Sequence, residues 1–162
     1  MTRNEQLIDR VATAVALAAV VAVGLSAGAM LAEAAVLVPY WRSLEAAAFL
    51  AWYAANAARL FDFFAPLEIA GAGLGVVAAG LYGFRRRSGA VLLALSALLA
   101  VGVLVPFPLY FRDVNASFEA ATIEHGQVAA ELARWAWWHW LRTALGTGAF
   151  VTGLLAVWAG RD

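Results

Sequence analysis

Residues 66–111 read PLEIAGAGLGVVAAGLYGF, then RRRSG, then AVLLALSALLAVGVLVPFPLYF. Each of the two apolar runs, 66–84 and 90–111, meets the requirement of about 18–20 residues for crossing a hydrocarbon layer about 30 Å thick. Between them, Arg85-Arg86-Arg87-Ser88-Gly89 is too short and too charged to be anything but a compact stop between antiparallel spans. Working outward, two further runs of the same kind appear at approximately 11–40 and 135–158. The chain therefore reads as one integral membrane domain over 1–162: all-α, a four-helix transmembrane bundle. The first run is long enough to tilt or project from the bilayer. The third ends on Pro106 and Pro108, which should kink or stop it.

Composition agrees. Of 162 residues 64% are hydrophobic, and the mean hydropathy of +0.79 is that of a membrane chain. Eleven basic residues, all Arg, balance 11 acids, so no strongly basic surface exists for nucleic acid. With no Cys, disulfides, thiolate metal sites and cysteine nucleophiles are all excluded. The apolar run after Arg10 far exceeds the roughly 7–15 residues of a signal-peptide core, so it reads as a permanent span.

Short Arg-rich loops stay in the cytoplasm. Four spans put Arg3, Arg10, Arg85, Arg86, Arg87 and Arg161 on one side and Arg42, Arg59, Arg112 and Arg134 on the other. Both termini are thus expected in the cytoplasm. The two longer connections, 41–65 and 112–134, then face outward. In the first, Phe49, Trp52, Tyr53 and Leu60 are spaced for one apolar face, which predicts a short interfacial or re-entrant helix from Ser43 to Leu60. A second outer helix is expected over 116–134, capped by Asn115, with Phe118 and Ile123 toward the bilayer. Small residues at Gly24 and Gly28, at Gly71, Gly75 and Ala79, and at Gly146 and Gly153 have the spacing that brings transmembrane backbones together.

Four ionisable residues fall inside spans: Glu33, Glu68, His139 and Arg142. At a 1.5 Å rise, Glu33 lies roughly 10 Å below the outer end of its span. The other three lie one or two turns inside theirs, so antiparallel packing brings all four to similar depth. Glu68 shares a helical stripe with Gly75 and Ala79, and His139 and Arg142 share one with Gly146, Ala149 and Gly153. In the cluster Arg134-Trp135-Ala136-Trp137-Trp138-His139-Trp140, Trp135 and Trp138 lie nearer that polar stripe. Trp137 and Trp140 point toward lipid headgroups. Three uses fit the four groups. Arg142 pairs with Glu33 or Glu68 to fix helix register; or the groups line a catalytic or ligand pocket in which His139 moves protons; or Glu33, Glu68 and His139 hold a metal. No Glu-x-x-His pair supports the last, and no metal or cofactor is assigned. His125 reads as solvated. There is no phosphate-binding loop, nucleophile elbow or His-Glu-x-x-His run.

Three pieces of sequence carry a family resemblance. They are Gly24-Leu25-Ser26-Ala27-Gly28 continuing to Pro39-Tyr40-Trp41, Val114-Asn115-Ala116, and Arg134-Trp135 with Trp138-His139-Trp140-Leu141-Arg142-Thr143. Their order and spacing resemble the anthrone oxygenase-like family of small four-span membrane proteins. Arg112-Asp113 departs from the pattern, in which a proline is expected nearby. The resemblance implies a bacterial cytoplasmic membrane and a cofactor-independent oxidation of a lipophilic aromatic or quinol-like substrate. It further implies His139 or a neighbouring carboxylate, Glu33 or Glu68, as base and Arg142 as oxyanion stabiliser. Trp135, Trp138 and Asn115 would then position a flat substrate. The alternative is a non-catalytic membrane subunit, or a lipid- or quinone-binding module, in which the charges are structural. Membrane lipids and a lipophilic small molecule are the expected partners, with a homo-oligomer compatible with either reading.

Overall fold

In the computed structural model, which describes residues 2–160, the apolar runs fold into four long helical stretches, with no strand among the described residues. Arg161, counted above with the inner arginines, lies outside them. The first stretch is α1, Arg3–Ala32, followed without a break by a π-helical turn, Glu33–Leu37, and by α2, Val38–Ser43. It opens with a capping box: Thr2 Oγ1 accepts from the Glu5 N–H while the Glu5 carboxylate accepts from the Thr2 N–H. The second stretch is α3, Ala46–Phe84; the third is α4, Ala90–Leu104, a second π turn, Phe107–Phe111, and α5, Arg112–Glu119. The fourth is α6, His125–Ala159. All four are long and apolar enough to cross a membrane. The protein is an integral membrane protein built as an all-α four-helix bundle. Helices α1 and α4 each pack on both α3 and α6, so they occupy opposite corners of a square.

The long helices outrun the bilayer. At 1.5 Å per residue the 39 residues of α3 span about 58 Å, nearly twice the hydrocarbon thickness. The segment from Ser43 to Leu60, expected as a separate outer helix, is instead mostly the first half of α3. Pro66 lies inside that helix; it removes one hydrogen bond, to the Asp62 carbonyl, and the bonds on either side keep the helix continuous. The other outer segment also departs from expectation. The chain breaks not before residue 116 but after Glu119, where Ala121 adopts a left-handed φ of 50° and the Ala121 and Thr122 N–H groups return to the Phe118 and Ser117 carbonyls. Nor do Pro106 and Pro108 stop the third stretch: they open its ladder into the second π turn, and the helix goes on into α5.

The interior changes character along the bundle axis. At the end that holds the arginine loop, Ala12, Ala16, Ala78 and Ala156 pack around Tyr82 and Leu93. At the opposite end, the core is aromatic, with Trp41, Phe49, Tyr53, Phe111, Phe118 and Trp135 in one cluster. Small residues account for the close packing toward the arginine loop: a Cβ on Gly153 would lie 3.0 Å from Val20 and 3.1 Å from the Ser96 hydroxyl. Gly28, also expected at a helix contact, faces open space.

The arginine loop is tied to two other segments. Arg85 donates from Nε and Nη2 to the Asp9 carboxylate at 3.0 and 3.2 Å, and this hydrogen-bonded guanidinium holds the Asp9 carboxyl, two residues ahead of the apolar run, below the usual carboxylate range. Arg87 donates to the Asp9 carbonyl and the Thr13 hydroxyl and lies 4.4 Å from the centre of the Tyr82 ring. Gly89 closes the loop at φ 86°, where a Cβ would overlap the Ala156 carbonyl oxygen. Left-handed strain on a residue with a Cβ costs about 1–3 kcal/mol. Gly89→Ala is expected to lose at least that much stability in a denaturant titration of the purified protein; an unshifted midpoint would refute this tight approach.

Candidate functional site

The first π turn sets the site. Pro39 has no N–H, and its ring crowds the carbonyl four residues earlier, that of Ala35. Widening the turn relieves the crowding: Val38 N–H donates to the Glu33 carbonyl, five residues back, and the wider turn buries both Glu33 and Ala34. Glu68 follows Pro66 on α3, one turn inside the bilayer by the span reading above. His139 and Arg142 sit three residues apart on the inward stripe of α6. The structure brings all four to one level, each no more than 8% exposed.

They form two pairs. Arg142 Nη2 donates to Glu68 Oε1 in a tight ion pair. Arg142 Nε donates to the Val103 carbonyl at 3.2 Å, and the guanidinium lies 4.9 Å from the centre of the Phe111 ring. The second pair is looser. His139 Nε2 is 3.5 Å from Glu33 Oε2 but only 2.9 Å from the Met30 carbonyl oxygen. Nδ1 of the same ring is buried without a partner among the described residues. A proton on Nε2, donated to Met30, therefore suits the network, and a second proton on Nδ1 would be stranded. The imidazole is held in place by stacking on Trp135, with ring centroids 4.9 Å apart.

Beside these groups is a cavity of about 690 Å³. Glu33, Glu68 and Arg142 lie on its lining, and Tyr53, Phe61, Phe64, Phe107 and Trp135 supply aromatic walls. Asn115 also lines it, and its side-chain oxygen accepts from Trp135 Nε1 at 2.9 Å. That bond orients the indole that in turn orients His139. Phe61 is 55% exposed and Ile69 61%, so this side of the cavity is open between α3 and the third stretch.

Not every expected residue reaches the cavity. His139 stands behind Glu33 and Trp135 rather than on the lining. Trp138, expected to position substrate, stacks instead on Tyr110 with centroids 5.6 Å apart and is not on the cavity wall. Asn115 does not cap a helix: it lies within α5. Phe118 is not toward lipid but fully buried against Phe49 and Tyr53, and Ile123 packs half-buried on the same cluster. His125 is exposed, as expected, at the start of α6. Trp137 and Trp140, 62% and 49% exposed, face outward as expected. No group of three or more His, Cys, Asp or Glu side chains among the described residues is gathered to hold a metal.

Residues that the sequence reading left out of the site are chiefly those of the first half of α3. Tyr53 was legible as part of an apolar face, but a helix lying on the membrane surface would not have aimed it at Glu33. Phe61 and Phe64 flank the break expected before Pro66 and join the site only because the helix passes through it. No family model, no curated protein and no solved structure matches the chain, so the chemistry of this site is argued from its own residues.

Proposed function

We propose that the protein oxidises a lipophilic aromatic or quinol-like substrate with dioxygen and no bound cofactor, as its resemblance to the anthrone oxygenase-like family suggests. The observation that supports this reading is the cavity itself: about 690 Å³ at the outer end of the bundle, with carboxylates and a guanidinium set among aromatic walls. Glu33 touches the cavity and is the base; His139, 3.5 Å behind it, positions the carboxylate. Arg142 retains guanidinium N–H groups beyond those given to Glu68 and Val103, and they stabilise the developing oxyanion. Asn115 holds Trp135, which stacks the flat substrate. For a methylene flanked by aromatic rings, Glu33 removes a proton and the carbanion electrons pass to dioxygen. A C–O bond forms, and loss of water from the hydroperoxide leaves a ketone, so that CH2 and O2 become C=O and H2O. The test is oxygen uptake by the protein in nanodiscs given an anthrone-type substrate, one O2 per ketone formed; uptake no faster than in empty nanodiscs would sink the reading.

One observation favours the non-catalytic alternative. The Glu68–Arg142 pair, with Arg142 Nε given to Val103, is closed in the way a pair fixing helix register is closed. In that case the cavity stores or presents a lipid or quinone. Mass spectrometry of the protein purified in mild detergent separates the two: a stoichiometric co-purifying quinone or lipid that survives incubation with oxygen unchanged favours the module.

We read the protein as resident in a bacterial cytoplasmic membrane with both termini inside. The arginine-rich loop supports this by the positive-inside rule. Because the native chain has no Cys, single substitutions report topology cleanly. Glu124→Cys is expected to react with a membrane-impermeant maleimide on intact cells and Arg86→Cys only after lysis; the opposite pattern inverts the orientation.

A further inference from the structure

Glu68 and Arg142 cancel each other's charge, which leaves Glu33 over. Its carboxylate accepts no hydrogen bond from any described residue, although the side chain is more than nine-tenths buried and lies on the cavity lining. His139 does not supply the missing charge. Nε2 is given to the Met30 carbonyl, and a proton added at Nδ1 would be a buried donor with no acceptor. An uncompensated carboxylate at membrane depth is costly and marks a place where a partner belongs. The open side of Glu33 is the cavity.

The rest of the lining has the same sign. Glu33, Asp62, Glu68 and Glu119 stand against Arg112 and Arg142, four acids to two arginines. Tyr53, Trp135 and Phe61 present ring surfaces to the same space, and aromatic faces attract cations, most strongly where water is excluded. An anion would meet repulsion from Glu33, and the positive charge of the guanidinium beside it is already matched by Glu68.

We propose that the cavity binds a lipophilic organic monocation, its charge against Glu33 and its apolar body against the aromatic walls. This rests on the cavity being a ligand site, as in the reading above, and not on turnover. Under the oxidation reading it makes a positively charged aromatic the preferred substrate.

The test uses three probes of similar bulk on the full chain in detergent: tetraphenylphosphonium, tetraphenylborate of the same shape and opposite charge, and neutral triphenylphosphine oxide. Binding is followed by equilibrium dialysis and by quenching of tryptophan fluorescence. Tetraphenylphosphonium is expected to bind at one site and to outbind the borate. Glu33→Gln, which keeps the shape and removes the charge, should weaken it by about tenfold or more. Phe61→Ala, at an exposed wall position, should weaken it by roughly threefold. Equal binding of the borate, or undiminished phosphonium binding by folded Glu33→Gln, overturns the cation assignment. Binding of the neutral probe alone overturns it too while leaving the oxidation reading intact; binding of none of the three removes the cavity as a ligand site and both proposals with it.

Discussion

Arg142→Met is expected to lower stability by about 3–5 kcal/mol, measured by titration from bicelles into SDS. The argument is one of leftover charge. Arg142 and Glu68 are both nearly buried, and the guanidinium neutralises the carboxylate, satisfies the Val103 carbonyl and covers the face of Phe111. Methionine replaces much of the packing and none of the charge, so Glu68 is left ionised in a site from which water is largely excluded, or must take up a proton to remain. Removing both partners should be far milder. A Glu68→Met, Arg142→Met double variant is expected to recover most of the loss, because two apolar side chains of similar volume carry no desolvation penalty. If the single and double variants fall equally, the pair is not the source of the effect.

Glu33→Gln is expected to reduce turnover by about 10²–10⁴-fold with the fold retained, the range over which a positioned general base acts. The amide keeps the size of the carboxyl and cannot accept the substrate proton. His139→Gln should give a smaller loss, since His139 touches Glu33 and Trp135 rather than the cavity. His139→Ala adds the loss of packing against Trp135 and of the bond to Met30, so it is the less informative change. The readout is oxygen uptake against ketone formed in nanodiscs, with near-UV circular dichroism as the control for folding. Full turnover by a folded Glu33→Gln protein would remove the carboxylate from the mechanism, and full turnover by both variants would remove the base altogether.

The transmembrane architecture was legible because hydrophobic length is a direct physical requirement of the bilayer, and RRRSG cannot be placed anywhere but between two spans. The level of Glu33, Glu68, His139 and Arg142 was legible for a related reason: helical rise converts sequence position into depth. What pairs with what was not. Glu33 and Glu68 were equivalent candidates for Arg142, and the choice depends on a π turn at Pro39 that rotates Glu33 toward His139.

The half away from the arginine loop was the least legible. Pro66 reads locally as a boundary, yet α3 passes through it, since losing one hydrogen bond costs less than exposing two helix ends near lipid. The true break after Glu119 carries no glycine or proline; Ala121 takes the left-handed conformation because tertiary packing of Phe118 against Phe49 and Tyr53 requires the chain to turn there. Local propensity cannot report a turn imposed by a contact about 70 residues away in sequence, here between Phe118 and Phe49.

The π turn at Glu33–Leu37 also bears on how such a site can arise. A π turn is an α turn with one residue added, and one residue in a helix is about 100° of rotation. Were the same stretch one residue shorter and an ordinary α-helix, everything beyond it would be swung by that angle. Trp41, now at the centre of the aromatic cluster, would turn away from the bundle. The site is in this sense a matter of chain length as much as of side-chain identity: one residue within a helix turn separates it from a plain four-helix bundle.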